Sequence, residues 1–553
     1  MNNRERQKQS ETYNIKKKVN QTKYVMNKNL QRIRMALFAL LLTIAGMTNA
    51  FAQDFTVGNL KCSIIDDKSV SVKGPVDGAK AKGKFVIPET IVHEGITYTV
   101  VRISSFAFQN CSGLTNVTIP SSVTSIDDAA FLNCTGLANV GIPNSVNRLG
   151  EHVLFGSGWY NKQPNGILYL SDCCLGYKGY PPTGTLSIRS NTRLIAKKAF
   201  YDCKDLKGEA VVPNLVKHIG EYAFAGCKGL TSVTLPNSLI SLGEGAFNGC
   251  SGLTSIVVPD SVTSMGAYAF SSCEGLTTVT ISKSLTYIGV QAFEFCKKLT
   301  SVIIPNSVTE IKDGAFSHCY GLTGSLIIPN SVSFIAPDAF SGCSGFEQII
   351  VESGNKIYDS RDNCNAIIET GTNKLILGCK STVIPNSVII INDYAFSGCA
   401  QLTSVNIPNS VTSIGSGAFK GCVNLISINI PSSVVSLGSN ITDGNPFYKT
   451  GWYNRQPDGI IYLDNCCLGW KGKEPVGELK IKNGTRLIAA CAFLGCKELT
   501  SVFIPSSMRF IGIGAFYDCN KLTSAIIESS YLRDLSYDKC FGNFQQKTNI
   551  IYK

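Results

Sequence analysis

The sequence predicts a solenoid, in which one short coil of chain is stacked many times around a continuous apolar core. Three observations predict it. The signature Ala-Phe-x-x-Cys occurs thirteen times, most neighbouring copies are 23 or 24 residues apart, and apolar residues recur in the same phase within each copy. A unit of this length cannot bury its own apolar face, so the neighbouring coils must cover it. The thirteen signatures contain Phe108, Phe131, Phe200, Phe224, Phe247, Phe270, Phe293, Phe316, Phe340, Phe396, Phe419, Phe493 and Phe516.

Each copy has the apolar pattern of a short strand followed by turns. In the copy at residues 250–272, Leu253, Ile256 and Val258 follow the L-x-x-L-x-L pattern of leucine-rich repeats, whose side chains point inward. Pro259 then ends the strand, because proline cannot donate a ladder hydrogen bond. The pattern predicts a leucine-rich repeat solenoid with short parallel β-strands on one side. Turns and short helical or 3₁₀ segments, which include the Ala-Phe pair, are expected on the other.

The period is interrupted near residues 155–195, 350–380 and 438–490. The first and third interruptions contain the same block, running from Gly-Trp-Tyr to Cys-Cys-Leu-Gly and repeated with an offset of 293 residues. In each block, two apolar runs flank a short polar turn, which predicts a β-hairpin. The second interruption has two apolar runs around a Thr-Gly-Thr-Asn turn and predicts a third hairpin.

The two ends differ from the middle of the chain. Residues 53–105 lack the signature and alternate like short strands, so they predict an N-terminal β cap over the first coil. The solenoid is expected over residues 106–527. Residues 528–553 are expected to form the C-terminal cap.

Residues 1–52 are predicted to be a leader that contains a secretory signal peptide. Basic residues precede a thirteen-residue apolar run at positions 35–47, which small residues follow. A membrane span needs about 20 apolar residues, so this run is too short to be one. We expect cleavage after Ala52, with Met26 as an alternative start, and no membrane span in the mature chain.

The formal net charge of +12 comes mostly from this leader. Residues 1–52 hold ten of the 51 Lys and Arg residues and two of the 39 Asp and Glu residues, which leaves 41 basic and 37 acidic residues in the mature chain. A nearly balanced surface does not attract polyanions strongly. We therefore expect no nucleic-acid partner.

The cysteines of the thirteen signatures form a ladder with one thiol per coil. Free cysteine behaves as a small apolar residue, so a stack of core thiols is expected. Outside this ladder, Cys364 and Cys379 are equidistant from the centre of the Thr-Gly-Thr-Asn turn. In a regular antiparallel hairpin they would face each other, which suggests a disulfide, with two free thiols as the alternative.

No pattern in the sequence predicts catalysis, a cofactor or a metal site. The four histidines are scattered over different coils and none has a metal-ligand spacing. The glycines follow the repeat and form no phosphate-binding fingerprint. We expect a protein that is not an enzyme.

The repeat consensus is C-x-x-L-T-S-V-x-I-P-x-S-V-T-x-I-G-x-x-A-F-x-x-C over about residues 100–525. It resembles the BspA-like, treponemal-type leucine-rich repeat family, and the blocks around Trp159 and Trp452 are similar to elements of that family. The resemblance implies a secreted or cell-surface bacterial protein of a kind often associated with adhesion to host proteins or to other cells. Members differ in what they bind, so the fold alone does not name the partner.

Two features are candidates for binding. The strand position between the last two inward residues faces outward and holds several β-branched residues in successive coils. The tryptophans of the repeated block could stack on sugars or anchor a protein, or they could pack the hairpin onto the solenoid. The candidate binding surface comprises Val257, Thr280, Ile303, Ile327, Trp159 and Trp452.

We therefore expect an exported protein that is located at the cell surface, secreted or periplasmic. Its expected partners are protein ligands, such as host extracellular proteins or bacterial surface proteins. A glycan-binding repeat protein that uses the aromatic residues is one alternative, and a purely structural envelope protein is another.

Overall fold

The computed structural model describes residues 53–343, 345–438, 444–532, 540–541 and 549–552. The predicted leader and signal peptide lie outside these residues, as does most of the predicted C-terminal cap. The chain is a β-solenoid with very little helix, which confirms the predicted fold class. Residues 53–146 and 152–162 belong to one compact unit, and residues 147–151 and 163–552 belong to a second.

The first unit begins with antiparallel strands and continues with parallel ones. The first strand pairs with the second and the second with the third in antiparallel fashion, and the third begins the parallel pairing. The strand Thr90–His93 adds one more antiparallel pair, with Ile96–Ile103. Its helical segments are the 3₁₀-helix Gly78–Lys80 and the α-helix Gly158–Lys162. Its strands are Asp54–Val57, Leu60–Ile64, Ser69–Pro75, Lys82–Val86, Thr90–His93, Ile96–Ile103, Gly113–Thr118, Ser125–Ile126 and Asn139–Val140.

In the second unit, the L-x-x-L-x-L segments form what we call the front strands. They pair in parallel with the front strands of neighbouring coils, as predicted. The apolar side chains alternate inward, because successive residues of a strand point to opposite faces. The front strands are Gly208–Val211, Leu230–Thr234, Ser255–Val257, Thr278–Thr280, Thr323–Ile328, Gly345–Val351, Gly477–Lys480, Leu499–Ile504, Ser524–Ile527 and Asn549–Tyr552.

A second set of short parallel strands, which we call the side strands, follows the proline of each coil. Sequence analysis placed no strand here, because two residues are too few to show an alternating pattern. Most side strands pair in parallel with an equivalent strand of a neighbouring coil. The side strands are Arg148–Leu149, Leu194–Ile195, His218–Ile219, Ser241–Leu242, Ser264–Met265, Tyr287–Ile288, Glu310–Ile311, Phe334–Ile335, Ile390–Ile391, Ser413–Ile414, Ser436–Leu437, Leu487–Ile488 and Phe510–Ile511.

The Ala-Phe-x-x-Cys signature forms hydrogen-bonded turns. The amide of Cys250 donates to the carbonyl of Phe247, three residues earlier, with N and O 3.2 Å apart. The amide of Phe247 donates to the carbonyl of Ala269 in the next coil at 2.8 Å. The backbone is therefore bonded to the neighbouring coil on this side too, so no continuous helix is needed to satisfy it.

The phenylalanines of the signatures form a buried stack along the core. From Phe200 to Phe340, the centroids of neighbouring rings are 5.2 to 5.6 Å apart. Offset ring pairs at such distances contribute about 0.5–1.5 kcal/mol each beyond the burial of their area. The stack therefore couples each coil to the next.

The three predicted hairpins are present, and each feeds into the side strands. In the first, the strand Cys173–Lys178 pairs in parallel with the side strand Leu194–Ile195. A short helix, Gly451–Arg455, precedes the third hairpin, and two 3₁₀-helices occur at Arg361–Asn363 and Ser530–Leu532. The strands of the three insertions are Gly166–Leu170, Cys173–Lys178, Tyr358–Asp359, Ala366–Glu369, Lys374–Gly378, Gly459–Leu463 and Cys466–Lys471.

Candidate interaction surface

The outward positions of the front strands form a row of β-branched residues. In the strand Ser255–Val257, the inward Ile256 is only 2% exposed, whereas Val257 is 61% exposed. Val257 pairs with Thr280 in the next coil, and Thr280 is also exposed. The alternation of a strand therefore places these side chains in solvent while their neighbours fill the core.

Ile303 continues this row, although residues 301–304 are not in a strand. Its side chain is 83% exposed. The coil stays in register, because the amide of Thr300 donates to the carbonyl of Thr277 and the amide of Thr323 donates to the carbonyl of Thr300, both at 3.1 Å. Ile327, in the next front strand, is 47% exposed.

We call this row the apolar stripe. The row is longer than the four residues predicted from the sequence. Val211, which is 54% exposed, pairs with Thr234, and these two residues extend the row at its start. In the next pair of front strands, Ser232 pairs with Ser255. Thr234 and Val257 each follow two residues later, so they are in register too. The apolar stripe consists of Val211, Thr234, Val257, Thr280, Ile303 and Ile327.

A row of threonines runs beside the apolar stripe. The hydroxyl of Thr254 donates to the carbonyl of Thr231 at 3.1 Å, that of Thr277 to Thr254 at 2.9 Å, and that of Thr300 to Thr277 at 3.2 Å. These hydroxyl groups therefore donate their hydrogen bonds to the backbone of the preceding coil. The surface next to the stripe is mostly uncharged, with the exception of Glu209, whose Oε1 accepts a hydrogen bond from the hydroxyl of Thr234 at 2.6 Å.

Charged residues lie at the borders of this face. Lys283 and Asp260, in the corner after the front strands, are 3.9 Å apart between Nζ and Oδ2. Lys297 and Glu274, in the corner before them, are 2.8 Å apart between Nζ and Oε1. Each pair joins neighbouring coils and is exposed, so each contributes at most about 1 kcal/mol to stability.

The tryptophan of the third insertion packs against the solenoid. Trp452 is half-buried in the helix Gly451–Arg455 and lies against a cluster of core residues. Thr450 caps the start of this helix, because its hydroxyl accepts the amide of Tyr453 at 3.0 Å. Lys471 caps the end, since its Nζ donates to the carbonyls of Asn454 and Gln456. These contacts favour the interpretation that Trp452 packs the hairpin onto the solenoid over the interpretation that its ring stacks on a sugar.

Trp159 has the same local setting in the first unit. It lies in the helix Gly158–Lys162 and is half-buried. Its amide donates to the carbonyl of Leu137 at 2.7 Å. Trp159 and Trp452 thus lie in short helices, outside the segments that carry the apolar stripe.

The thiols of the cysteine ladder have a specific partner. In nine coils the cysteine Sγ lies 2.9 to 3.3 Å from the carbonyl oxygen of the phenylalanine one coil earlier. Burial raises the pKa of the Cys273 thiol to about 12 and that of Cys250 well above the ordinary value. Thiols of this kind react slowly, because the thiolate is the reactive form.

Cys364 and Cys379 are both free, buried thiols in the structure. A bulge between Ile367 and Ile368 shifts the hairpin register by one residue, and the Cys379 Sγ lies 3.5 Å from the carbonyl oxygen of Asn365. Ala366 pairs with Gly378, so the register that continues from this pair places Asn365, and not Cys364, opposite Cys379. The two thiols pack into different core clusters.

The side strands bring together a serine and a histidine whose proximity the sequence did not indicate. The Nδ1 of His218 lies 2.9 Å from the Oγ of Ser241, one coil away. Burial lowers the pKa of His218, and so do the charges of Arg193 and Lys217. Basic neighbours are the opposite of the carboxylate that orients the histidine in a catalytic triad. This pair therefore does not have the arrangement of a nucleophile and its base.

The described residues contain neither a metal-binding cluster nor a membrane-spanning helix. No group of three or more His, Cys, Asp or Glu residues in this part of the chain is arranged to hold a metal ion. No helix there is both long enough and apolar enough to cross a membrane.

Comparison with known families gives a match over most of the chain. The matched family is described as a BspA type leucine rich repeat region. The matched residues are 91–169, 193–323, 322–370, 366–446 and 470–553. Leucine-rich repeat proteins of this kind are generally non-enzymatic. No curated protein matches the chain.

Several solved structures are similar to the chain. One is a leucine-rich repeat protein from Bacteroides ovatus, with 26% identity over 91% of this chain and 100% of that chain and a TM-score of 0.34. Another is a leucine rich cell surface protein from Faecalibacterium prausnitzii, with 24% identity over 89% and 98% of the two chains and a TM-score of 0.34. A third is a leucine rich repeat protein from T. pallidum, with 26% identity over 41% and 88% and a TM-score of 0.20.

Proposed function

The chain belongs to the BspA-type leucine-rich repeat family, whose members are bacterial surface proteins, and we propose that it is an exported protein that attaches to protein partners through the apolar stripe. Attachment would consist of many weak contacts along the sheet, with no chemical change of the ligand. The observation that carries this proposal is the exposure of β-branched residues in successive coils, which reaches 83% at Ile303.

The energetics of the apolar stripe support binding. Full burial of a valine or isoleucine side chain contributes about 1.5–3 kcal/mol of free energy. A partner that covers several of these residues therefore gains binding free energy from each of them. The side chains are β-branched, and Val257, Thr280 and Ile327 stand on hydrogen-bonded strands. Little conformational freedom is therefore lost when a partner binds.

The anatomy of this face is also that of a protein interface. Its centre, from Val257 to Ile327, carries no charged residue, whereas Glu209 accepts a hydrogen bond from Thr234 at one end and the ion pairs Lys283–Asp260 and Lys297–Glu274 lie at its border. Protein interfaces combine a core depleted in charge with a polar rim. A glycan site would instead need exposed aromatic rings, and Trp452 is held against the core.

The experiment compares a stripe variant with a matched control. Ile303→Glu with Ile327→Glu places two charges on the stripe. Ile240→Glu with Val435→Glu places two charges on residues that precede side strands and are 40% and 56% exposed. Each immobilised protein is incubated with host extracellular and bacterial surface extracts, and the retained proteins are identified by mass spectrometry.

We expect the unmodified protein and the control to retain the same partner and the stripe variant to lose it. Full retention by a correctly folded stripe variant contradicts the proposal. Binding to a glycan array that Trp159→Ala abolishes would instead support the glycan alternative. No specific retention by any of the proteins would favour a purely structural envelope role.

A further inference from the structure

We propose that the first unit carries a glycan-binding site, in which the exposed ring of Phe155 stacks on the apolar face of a neutral pyranose. The site goes beyond the proposed function, because it uses residues outside the apolar stripe and takes a different class of ligand. We call the rings of His152, Phe155 and Tyr160 the ring cluster. Three observations support the site: an exposed ring that the fold does not require, the support of that ring by its neighbours, and free carboxamides beside it.

The first observation is that the coil is packed without Phe155. Leu154 takes the place of the signature phenylalanine in this coil and is buried. Phe155 follows it and is 46% exposed. The position after the signature phenylalanine holds small or polar residues in several coils of the second unit: Ala225, Asn248, Ser271, Ser317 and Ser341. An aromatic ring is therefore not needed for the fold at this position, and its exposed face is free to anchor a ligand.

The second observation is that two other rings hold Phe155 in place. The centroids of the His152 and Phe155 rings are 5.4 Å apart, with 69° between their planes. The centroids of the Phe155 and Tyr160 rings are 4.9 Å apart, with 47° between their planes. Tyr160 is itself fixed in a short helix, because its amide donates to the Oγ of Ser157 at 3.1 Å. A ring that is already held loses little conformational freedom when a ligand stacks on it.

The third observation is a pair of exposed carboxamides next to this ring. The backbone amide of Asn133 donates to the carbonyl of Phe155 at 2.8 Å, and the Nδ2 of Asn133 donates to the Oδ1 of Asn110 at 3.2 Å. Gly156 permits this approach, because a Cβ at this residue would lie 2.3 Å from the Oδ1 of Asn133. Among the described residues, no hydrogen bond uses the Nδ2 of Asn110 or the Oδ1 of Asn133. One donor and one acceptor therefore remain for the hydroxyl groups of a ligand.

These groups together match a neutral sugar. The face of an aromatic ring carries negative potential and attracts the C–H groups on the apolar face of a pyranose. Carboxamides suit hydroxyl groups, because each carries both donors and an acceptor. Phe155, Tyr160, Asn110 and Asn133 carry no charge that would favour an acidic sugar. One ring with two carboxamides gives a weak site, which becomes effective when many sugars or many copies of the protein are displayed together.

The repeated block in the third insertion supplies an internal comparison. Tyr448 and Tyr453 occupy the positions of Phe155 and Tyr160, and their ring centroids are 5.5 Å apart. Lys449 stands where the first block has Gly156, and its Nζ lies 5.3 Å from the centroid of the Tyr448 ring. A cation over the face of a ring competes with a stacking ligand. Gly156 has no side chain that could cover Phe155 in this way, so we assign the site to the first block.

The experiment measures binding of the mature protein to an array of neutral oligosaccharides and of sialylated and sulfated ones. Phe155→Ala removes the ring, and Phe155→Tyr keeps a ring of the kind found in the third insertion. The matched control is Tyr517→Ala, which removes a ring that is also 46% exposed and follows a signature phenylalanine in another coil. Circular dichroism and the melting temperature of each variant establish that it is folded.

We expect the unmodified protein, Phe155→Tyr and Tyr517→Ala to bind the same neutral glycans, and Phe155→Ala to bind them about tenfold more weakly. Asn133→Ala should also weaken this binding, because it removes the free acceptor and the hydrogen bond that orients Asn110. A role of Phe155 in packing alone would lower the melting temperature of Phe155→Ala and leave glycan binding unchanged.

Three results would overturn the inference: no neutral glycan bound by the unmodified protein, full binding by folded Phe155→Ala, or an equal loss with Tyr517→Ala. The proposed function is tested separately. The stripe variant, Ile303→Glu with Ile327→Glu, should bind the array as the unmodified protein does, and Phe155→Ala should retain the protein partner from the extracts. Failure of one site therefore leaves the other standing.

Discussion

The thiol of Cys250 donates a hydrogen bond to the backbone carbonyl of Phe224 in the preceding coil, with Sγ and O 3.1 Å apart. The same carbonyl accepts the amide of Cys227 at 3.2 Å. Two cysteines from successive coils therefore satisfy one phenylalanine carbonyl. This relationship explains why the signature requires both residues at this spacing, and why the cysteine is more than an apolar filler.

Replacing one of these thiols should destabilise the solenoid. Cys250→Ala removes a buried hydrogen bond and leaves a cavity, so we expect a loss of about 1–3 kcal/mol. Urea unfolding followed by fluorescence measures the shift in midpoint. Cys491→Ala, at a half-buried thiol outside the ladder, should shift the midpoint less. An equal effect of the two substitutions would contradict a specific role for the ladder.

The folded protein should resist thiol alkylation. Burial raises the pKa of Cys273, Cys466 and Cys496 from 9.0 to about 12 each, so the thiolate is rare at neutral pH. Mass spectrometry after treatment with iodoacetamide should find the ladder thiols unmodified in the native protein and alkylated in urea. Rapid native alkylation of Cys273 would contradict the buried ladder.

The same pKa shifts predict that stability falls at high pH. The thiols of the unfolded chain ionise near pH 9, whereas those of the folded chain stay protonated, so the unfolded state binds fewer protons. The contribution is therefore fully present below the unfolded-state value of 9.0 and is lost as the pH rises from there through the folded-state value of about 12. Urea midpoints measured across this range should decrease, and variants that lack several ladder cysteines should show a smaller decrease.

Tyr222 covers Gly245 of the next coil, and Tyr394 covers Gly417 in the same way. A methyl group at Gly245 would overlap the Tyr222 ring, and the backbone at this glycine is left-handed with φ +56°. Gly245→Ala should therefore displace the ring, disrupt the hydrogen bond from its hydroxyl to Glu244, and cost about 1–2 kcal/mol. A double-mutant cycle with Tyr222→Ala should be less than additive. Strict additivity would show that the two residues are not coupled.

The second insertion should contain two free thiols. The bulge in this hairpin directs Cys364 and Cys379 to different core clusters, so non-reducing peptide mapping of the purified protein should recover each as an unpaired cysteine. A peptide that links residues 364 and 379 would show that the hairpin adopts the unshifted register.

Much of the fold was predictable because each coil repeats the same spacing of apolar residues. The inward residues Leu253, Ile256 and Val258 were identified from their spacing, and all three are buried. The side strands were not identified. Their extended conformation in Ser264–Met265 depends on hydrogen bonds to neighbouring coils, and two residues carry too little pattern to indicate them.

The apolar stripe, too, was predictable only in part. Its outward direction followed from the alternation of the front strands, so Val257 and Ile303 were predicted to be exposed. The threonine hydroxyls that bond to the preceding coil, and the extension of the stripe to Val211, depend on the alignment of separate coils. A spacing along the chain cannot show how neighbouring coils are aligned.

The sequence by itself determined the repeat, the inward residues, the parallel front strands and the positions of the three hairpins. These features depend on local periodicity, which the chain repeats in every coil. Only the tertiary structure decided the second set of strands, the partner of each thiol and the separation of Cys364 from Cys379. Those depend on register between coils or strands, and a shift of one residue turns a side chain to the opposite face of the sheet.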